Sequence, residues 1–295
     1  MTRNQFDVLT YCEKHREAVT QRKLSQELDR SLGTVNKALS ELTSLGYIQK
    51  GAITQEGILA LEPYRVQRAV FIAAGFGSRL VPITLNTPKP LVRVNGVRII
   101  DTMLDAMVEC GIEEIYIIRG YFAEQFDQLL YKYPTIKFIE NPIYNETNNI
   151  SSAMCARALM ENAYVCEADI LLYNPALITK YQYCSNYLGV PTEKTDDWCF
   201  TTNSGYITKL EIGGVNCHEM MGISYWTKED GQRLREHIKQ VYEMPGGKER
   251  FWDVVPLEYF QKYYKVAVRE CKAEDIVEID TFRELKLLDS KYRDS

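Results

Sequence analysis

The sequence predicts an α/β chain: a doubly wound mixed sheet preceded by a small α+β module. Three observations carry this reading. Up to residue 65 the apolar residues recur at helical spacing, whereas from Arg68 short apolar runs alternate with amphipathic stretches. The charge divides at the same place, net +1 over residues 1–65 and −6 over 66–295, and these ranges are the two expected domains. The early strand–helix order suits parallel strands joined by crossover helices, and the later succession of strands suits antiparallel pairing.

In the first module Phe6, Leu9 and Cys12 define one helix, Leu24 and Leu28 a second, and Leu32, Val35, Leu39 and Leu42 a third. Thr20 and Ser31 are the expected N-caps of the second and third, and Gly46 is the stop. Residues 47–53 read as a short strand pair around Gly51, and Pro63 and Tyr64 close the module. Three helices followed by a β-ribbon, with the stretch QRKLSQELDRSLGTVNKALSELTSLGYI, resemble the winged helix-turn-helix family. That resemblance implies a recognition helix presenting Ser31, Thr34, Asn36 and Lys37, with Arg22, Lys23 and Arg30 near a nucleic-acid backbone. DNA and a second copy of the chain in a homodimer are therefore candidate partners, although a net charge of +1 is weak for a DNA reader.

In the second module the expected strands are RAVFIAAG, EEIYIIRGY, IKFIEN, AYVCEADILLY, WCFTTN, ITKLEIGG, MMGISYW and AEDIVEID. Helices are expected at TMLDAMVECGI, AEQFDQLLYKY and SSAMCARALMEN. Composition removes several function classes. Only three histidines occur, His15, His218 and His237, in unrelated contexts, so a histidine-rich metal site is not expected. Eight cysteines without Cys-x-x-Cys spacing read as free thiols. No apolar run reaches about 18 residues, and the first residues lack the apolar core of a secretory signal. A cytoplasmic protein without a membrane span is expected.

The strongest local signal is AAGFGSRLVPITLNTPKPLV, residues 73–92. A strand runs into Gly75 and Gly77, whose backbone can approach phosphate oxygens closely. No Gly-Lys-Ser/Thr follows, so this is no Walker loop, and Leu80 stands where a dinucleotide fingerprint needs its third glycine. Lys89 lies between Pro88 and Pro90, a cation on a stiffened backbone suited to a phosphoryl transition state. Two carboxylate pairs close strands further on, Glu167-Ala168-Asp169 and Glu278-Ile279-Asp280; alternation places Glu278 and Asp280 on one face. Such acids offer the hard oxygen donors that magnesium prefers.

The pattern A-A-G-x-G-[ST]-R-L…T…P-K-[PA]-L resembles the signature of the nucleoside-triphosphate nucleotidyltransferases, whose sheet is Rossmann-like. The resemblance implies a nucleotide cradle at Ala73, Ala74, Gly75, Gly77 and Ser78, catalytic roles for Arg79 and Lys89, and Mg²⁺ on Asp169 and Asp280. Within that family, RGYFAEQFD, NPIYNETNNISSA, VCEADILL, DDWCF, GISYW, RFWDV and VEID follow the order seen in the bacterial choline-phosphate cytidylyltransferases. This narrower resemblance covers residues 68–290. It implies Asn148, Asn149 and Ser151 near the nucleobase, and Trp198, Phe251 and Glu278 around a substrate ammonium. Phe251 stands where a relative has tyrosine, and Trp226 and Trp252 read as core. The implied reaction is cytidylyl transfer from CTP to phosphocholine, giving CDP-choline and pyrophosphate. Its alternatives are the same transfer to 2-aminoethylphosphonate or phosphoethanolamine, or a ligand-sensing transcriptional regulator.

Overall fold

The computed structural model describes residues 1–293. The chain forms two compact units: Met1–Arg65 with Tyr181–Tyr183, and Val66–Lys180 with the chain from Cys184 onward.

The first unit contains α1 (Arg3–His15), α2 (Gln21–Glu27), α3 (Leu32–Ser44), the two-stranded wing β1 (Ile48–Gln49) and β2 (Ala52–Ile53), and α4 (Gln55–Leu61). Thr20 and Ser31 cap α2 and α3 by accepting from the Lys23 and Thr34 N–H groups, as the sequence indicates. Lys50 and Gly51 turn the wing with φ of +50° and +80°, the left-handed pair that a tight hairpin requires. Phe6, Leu9, Cys12, Leu24, Val35 and Leu42 form its core. The helix α4 lies outside the sequence reading; Thr54 caps it through the Gly57 N–H.

The second unit holds a seven-stranded sheet in the order β10-β12-β11-β8-β3-β6-β7. Its strands are β3 (Arg68–Ile72), β6 (Glu114–Arg119), β7 (Lys137–Glu140), β8 (Ala163–Glu167), β10 (Asn186–Asn203), β11 (Tyr206–Trp226) and β12 (Ala267–Glu270). The pairs β3–β6, β3–β8 and β6–β7 are parallel, while β11 runs antiparallel to β8, so the mixed sheet is parallel early and antiparallel late. Two small ribbons accompany it, β4 (Arg93–Val94) with β5 (Val97–Arg98) and β9 (Ile170–Leu172) with β13 (Ile276–Glu278). Helices cover both faces. Ala69 and Phe71 pack with α5 (Ile99–Glu109), and Val70 with α6 (Ile150–Ala156) and α7 (Lys228–Glu243), as strand alternation dictates. Residues Ala123–Tyr131, expected to be helical, form a tight 3₁₀ segment. A last helix, α8 (Phe282–Leu288), begins at the Thr281 cap. No helix among the described residues is long and apolar enough to cross a membrane.

Candidate active site

Chain order reverses at β3, with β6 and β7 on one side and β8 on the other. In such sheets a ligand crevice opens beyond the carboxyl ends of the strands at the reversal. The end of β3 delivers the glycine-rich loop there, and the end of β8 delivers Glu167 and Asp169. The Ala73 N–H donates to the Ile118 carbonyl at 2.9 Å, and the Tyr121 N–H to the Ala74 carbonyl at 3.0 Å, which ties the loop to its neighbour. Both alanine side chains are buried, so they present backbone to any ligand, whereas Gly75 and Ser78 are exposed. Gly77 is required twice over. Its φ is +67°, and a Cβ would lie 3.0 Å from the Lys89 Cβ and 3.3 Å from the Thr84 methyl. Instead of a long helix, 3₁₀ turns follow at Ser78–Leu80, Ile83–Leu85 and Lys89–Leu91, as Pro82, Pro88 and Pro90 demand.

These turns converge Lys89 and Arg79 on two aspartates. The Lys89 ammonium, its side chain 10% exposed, donates to Asp169 at 2.7 Å and to Asp280 at 3.1 Å. Arg79 donates to both oxygens of Asp280, at 2.6 and 3.0 Å, with its side chain 64% exposed. Burial would lower the Lys89 pKa, but the charge and hydrogen bond of Asp169, then those of Asp280, outweigh it and hold the ammonium above its ordinary value. Asp280 lies past the end of β13 rather than on it, and its N–H is held by Glu284 at 2.7 Å. The strand alternation invoked for Glu278 and Asp280 therefore reaches only Glu278, whose register partner Ile170 directly follows Asp169.

The donor set suits magnesium. Glu167, Asp169 and Glu278 each bring an oxygen within 4.8 Å of the others, and Oδ1 of Asp169 is buried without a hydrogen-bond partner. Burial, then the charges of Asp169, Asp253 and Glu278, push the Glu167 carboxyl well above its usual range; burial, then Asp169 and Asp280, do the same to Glu278. A cation would relieve that crowding. Asp280, expected beside Asp169, has both oxygens engaged by Arg79 and Lys89, so a role on a metal requires Arg79 to turn toward another anion.

Beyond the carboxylates, the Trp198 and Phe251 rings meet edge to face, with centroids 5.7 Å apart and planes at 68°. Asp197, adjacent to Trp198, is near enough to Glu278 to push its carboxyl up. Of the expected ammonium residues, Trp198 and Phe251 are brought into contact, and Glu278 lies within electrostatic reach of the neighbouring Asp197. Trp226 and Trp252 are buried in the core, as the sequence suggests.

The expected base contacts behave less uniformly. Asn149 is a brace: its amide donates to Glu167 at 3.4 Å, and its oxygen accepts from the Trp252 N–H at 2.8 Å. Asn148 holds the turn that follows α7, donating to the Lys248 and Glu249 carbonyls. Ser151 is 2% exposed, and its hydroxyl is engaged by the Asn148 carbonyl and the Asn141 amide. Sequence reasoning passed over Asp253, which is buried and accepts from the Tyr187 hydroxyl. Burial pushes its carboxyl up to about 6 against the opposing Tyr187 hydrogen bond. Only its place in RFWDV marked it; the burial comes from remote elements.

Residues 68–181 match the nucleotidyl transferase family and residues 1–54 the MarR family. The chain is 35% identical over 228 residues to the 2-aminoethylphosphonate cytidylyltransferase of Lancefieldella rimae, covering 76% of this chain and 92% of the relative. It is 31% identical over 217 residues to the choline-phosphate cytidylyltransferase of Haemophilus influenzae, covering 72% and 91%. The solved CTP:phosphocholine cytidylyltransferase of Streptococcus pneumoniae superposes with a TM-score of 0.71 at 29% identity, over 77% of this chain and 99% of that one.

Proposed function

The chain belongs to the nucleotidyl transferase family, among its cytidylyltransferases, and from that premise we propose that it joins CTP to a small acceptor with a phosphorus acid at one end and an ammonium at the other. The observation that carries the acceptor class is the Trp198–Phe251 ring pair, next to Asp197, which is within electrostatic reach of Glu278. Aromatic faces and a carboxylate both favour a cation. The first reading is the primary ammonium of 2-aminoethylphosphonate: Glu278 lies with Glu167 and within electrostatic reach of Asp197, and an N–H donor can use carboxylates that a quaternary nitrogen cannot. The ring pair itself favours a second reading, phosphocholine.

An acceptor oxygen attacks the α-phosphorus of CTP, the bond to the bridging oxygen breaks, and pyrophosphate leaves with the electron pair. The attacking oxygen is already anionic near neutral pH, so no general base is needed. Lys89 and Arg79 hold phosphate oxygens and offset charge that grows in the transition state, while the backbone of 73–78 cradles the triphosphate. Asp169, joined by Asp280 once Arg79 turns away, would hold a magnesium ion, which would supply further charge neutralisation. Asn148 and Asn149 keep the loop beside the base in place. Pyrophosphate release across CTP, UTP, dTTP and ATP against 2-aminoethylphosphonate, phosphoethanolamine, phosphocholine and a sugar 1-phosphate tests this; an acceptor of the proposed class is any of the first three. CTP with one of the three is the expected pair; turnover with a sugar phosphate alone would overturn it.

For the first unit we propose duplex DNA as partner, read by exposed Asn36 and Lys37 of α3, with Arg22, Lys23 and the wing-tip Lys50 on the backbone. Arg30, expected in that set, is shared with Asp7 at 3.5 Å. Binding should fall steeply with salt in an anisotropy titration, and no binding at low salt would leave the unit a protein-contact module.

A further inference from the structure

The strand β10 is interrupted where it enters the acceptor end. Thr195 pairs with Gly214 and Trp198 with Ile212, so three steps on β10 face two on β11. The extra residue makes a β-bulge, a feature that re-aims side chains. Opposite it, Gly213 has φ of +74°. The bulge is bolted by one side chain. The Thr195 hydroxyl, on a residue only 9% exposed, donates to Glu219 of β11 at 2.7 Å and accepts the Asp197 N–H at 3.1 Å. The Asp197 carboxylate in turn accepts the Trp198 N–H at 2.7 Å. Thr195 therefore fixes, through two hydrogen bonds, the backbone from which Asp197 and Trp198 reach the site.

We infer that Thr195, held by Glu219, is a positioning residue that sets how tightly the acceptor's ammonium end is bound, without touching acceptor, nucleotide or metal. This rests on the reading of Trp198 and Phe251 as the acceptor wall. The hydrogen bonds of Thr195 run to Glu219 and Asp197 and not to Lys89, Arg79 or Asp169, so its loss should leave CTP handling alone. A hydrogen bond to a charged acceptor, once lost, allows about a tenfold loosening.

The test compares steady-state kinetics of wild type, Thr195→Val, Thr195→Ser, Glu219→Ala and Trp198→Ala, using whichever acceptor the wild type turns over. Thr195→Val keeps the shape and removes the hydroxyl; its acceptor KM should rise about tenfold, with the CTP KM and kcat at saturating acceptor within twofold of wild type. Thr195→Ser should restore the acceptor KM to within threefold, and Glu219→Ala should move it in the direction of Thr195→Val. An unchanged acceptor KM in Thr195→Val, a parallel rise for CTP, or failure of the serine to rescue would each overturn the inference. Trp198→Ala separates the two levels. If it raises the acceptor KM while Thr195→Val does not, only the positioning role fails; if it too leaves the acceptor KM unchanged, the acceptor wall itself is misplaced.

Discussion

The two ends of the site are built differently. At the phosphate end, Lys89, Arg79, Asp169 and Asp280 form an interlocked set of ion pairs, each carried by a short turn or strand end at the sheet's reversal. At the proposed acceptor end, Trp198 of a bulged strand and Phe251 of a coil share a ring contact, and Thr195 ties the bulge to Glu219. The first arrangement tolerates little change, because removing one partner strands a charge that the others were arranged to meet. The second can change a ring or a hydroxyl and still fold. On the proposed reading, chemistry is fixed where charges interlock and substrate choice is left where contacts are few, in keeping with relatives named for a phosphonate and for a phosphate ester.

The comparison is broken most severely at Lys89. Lys89→Ala is expected to cut kcat by about 10²–10³-fold for every acceptor, since its charge acts on the transferring phosphate; rapid-quench turnover at saturating substrates measures it, and near-normal turnover would remove Lys89 from the chemistry. Next is Asp169→Asn. The amide keeps the shape but loses the charge that a divalent cation needs, so binding of Mn²⁺, followed by electron paramagnetic resonance with CTP present, should weaken at least about tenfold. Unchanged Mn²⁺ affinity would take Asp169 out of the cation's donor set. Smaller, and confined to stability, is Asp253. Folded, its carboxyl keeps its proton to about 6, against an ordinary value of 3.8, so between these pH values the folded chain binds more protons than the unfolded one. Stability therefore declines as pH rises through that window, by at most about 3 kcal/mol from this group. Asp253→Asn still accepts from Tyr187 but cannot ionise, so its urea-unfolding profile should be flatter between pH 4 and about 6. Parallel profiles would mean that burial does not hold the proton there.

The same contrast governs what could be read in the sequence. The glycine-rich loop was legible because glycine and proline act locally: Gly77 needs its φ, and the prolines forbid a helix, whatever lies around them. The caps at Thr20 and Ser31 were legible for the same reason. The bidentate Arg79–Asp280 pair was not, since it joins residues 201 positions apart. Nor was the bulge at Asp196 and Asp197, since it is set by how β10 pairs with β11. β12 escaped because three of its four residues are only partly buried, the fourth is exposed, and they show no alternation; its pairing is supplied by β10, some 80 residues earlier. α7 had a signal that went unused, with Thr227 as cap and Leu234, Ile238 and Val241 on one face. Asp253 and Glu167 were visible as acids, but what surrounds them is assembled from remote strands.

The division between the two ends is tested most directly by the ratio of kcat/KM for 2-aminoethylphosphonate to that for phosphocholine, measured in wild type, Lys89→Ala and Trp198→Ala. Lys89→Ala should lower both values by the same factor and leave the ratio within about twofold of wild type, because it acts on the phosphates that both reactions share. Trp198→Ala should shift the ratio by about tenfold or more toward the primary ammonium, since the quaternary group depends more on the ring face. A ratio that moves with Lys89 and stays fixed with Trp198 would contradict the assignment of chemistry to one end and choice to the other.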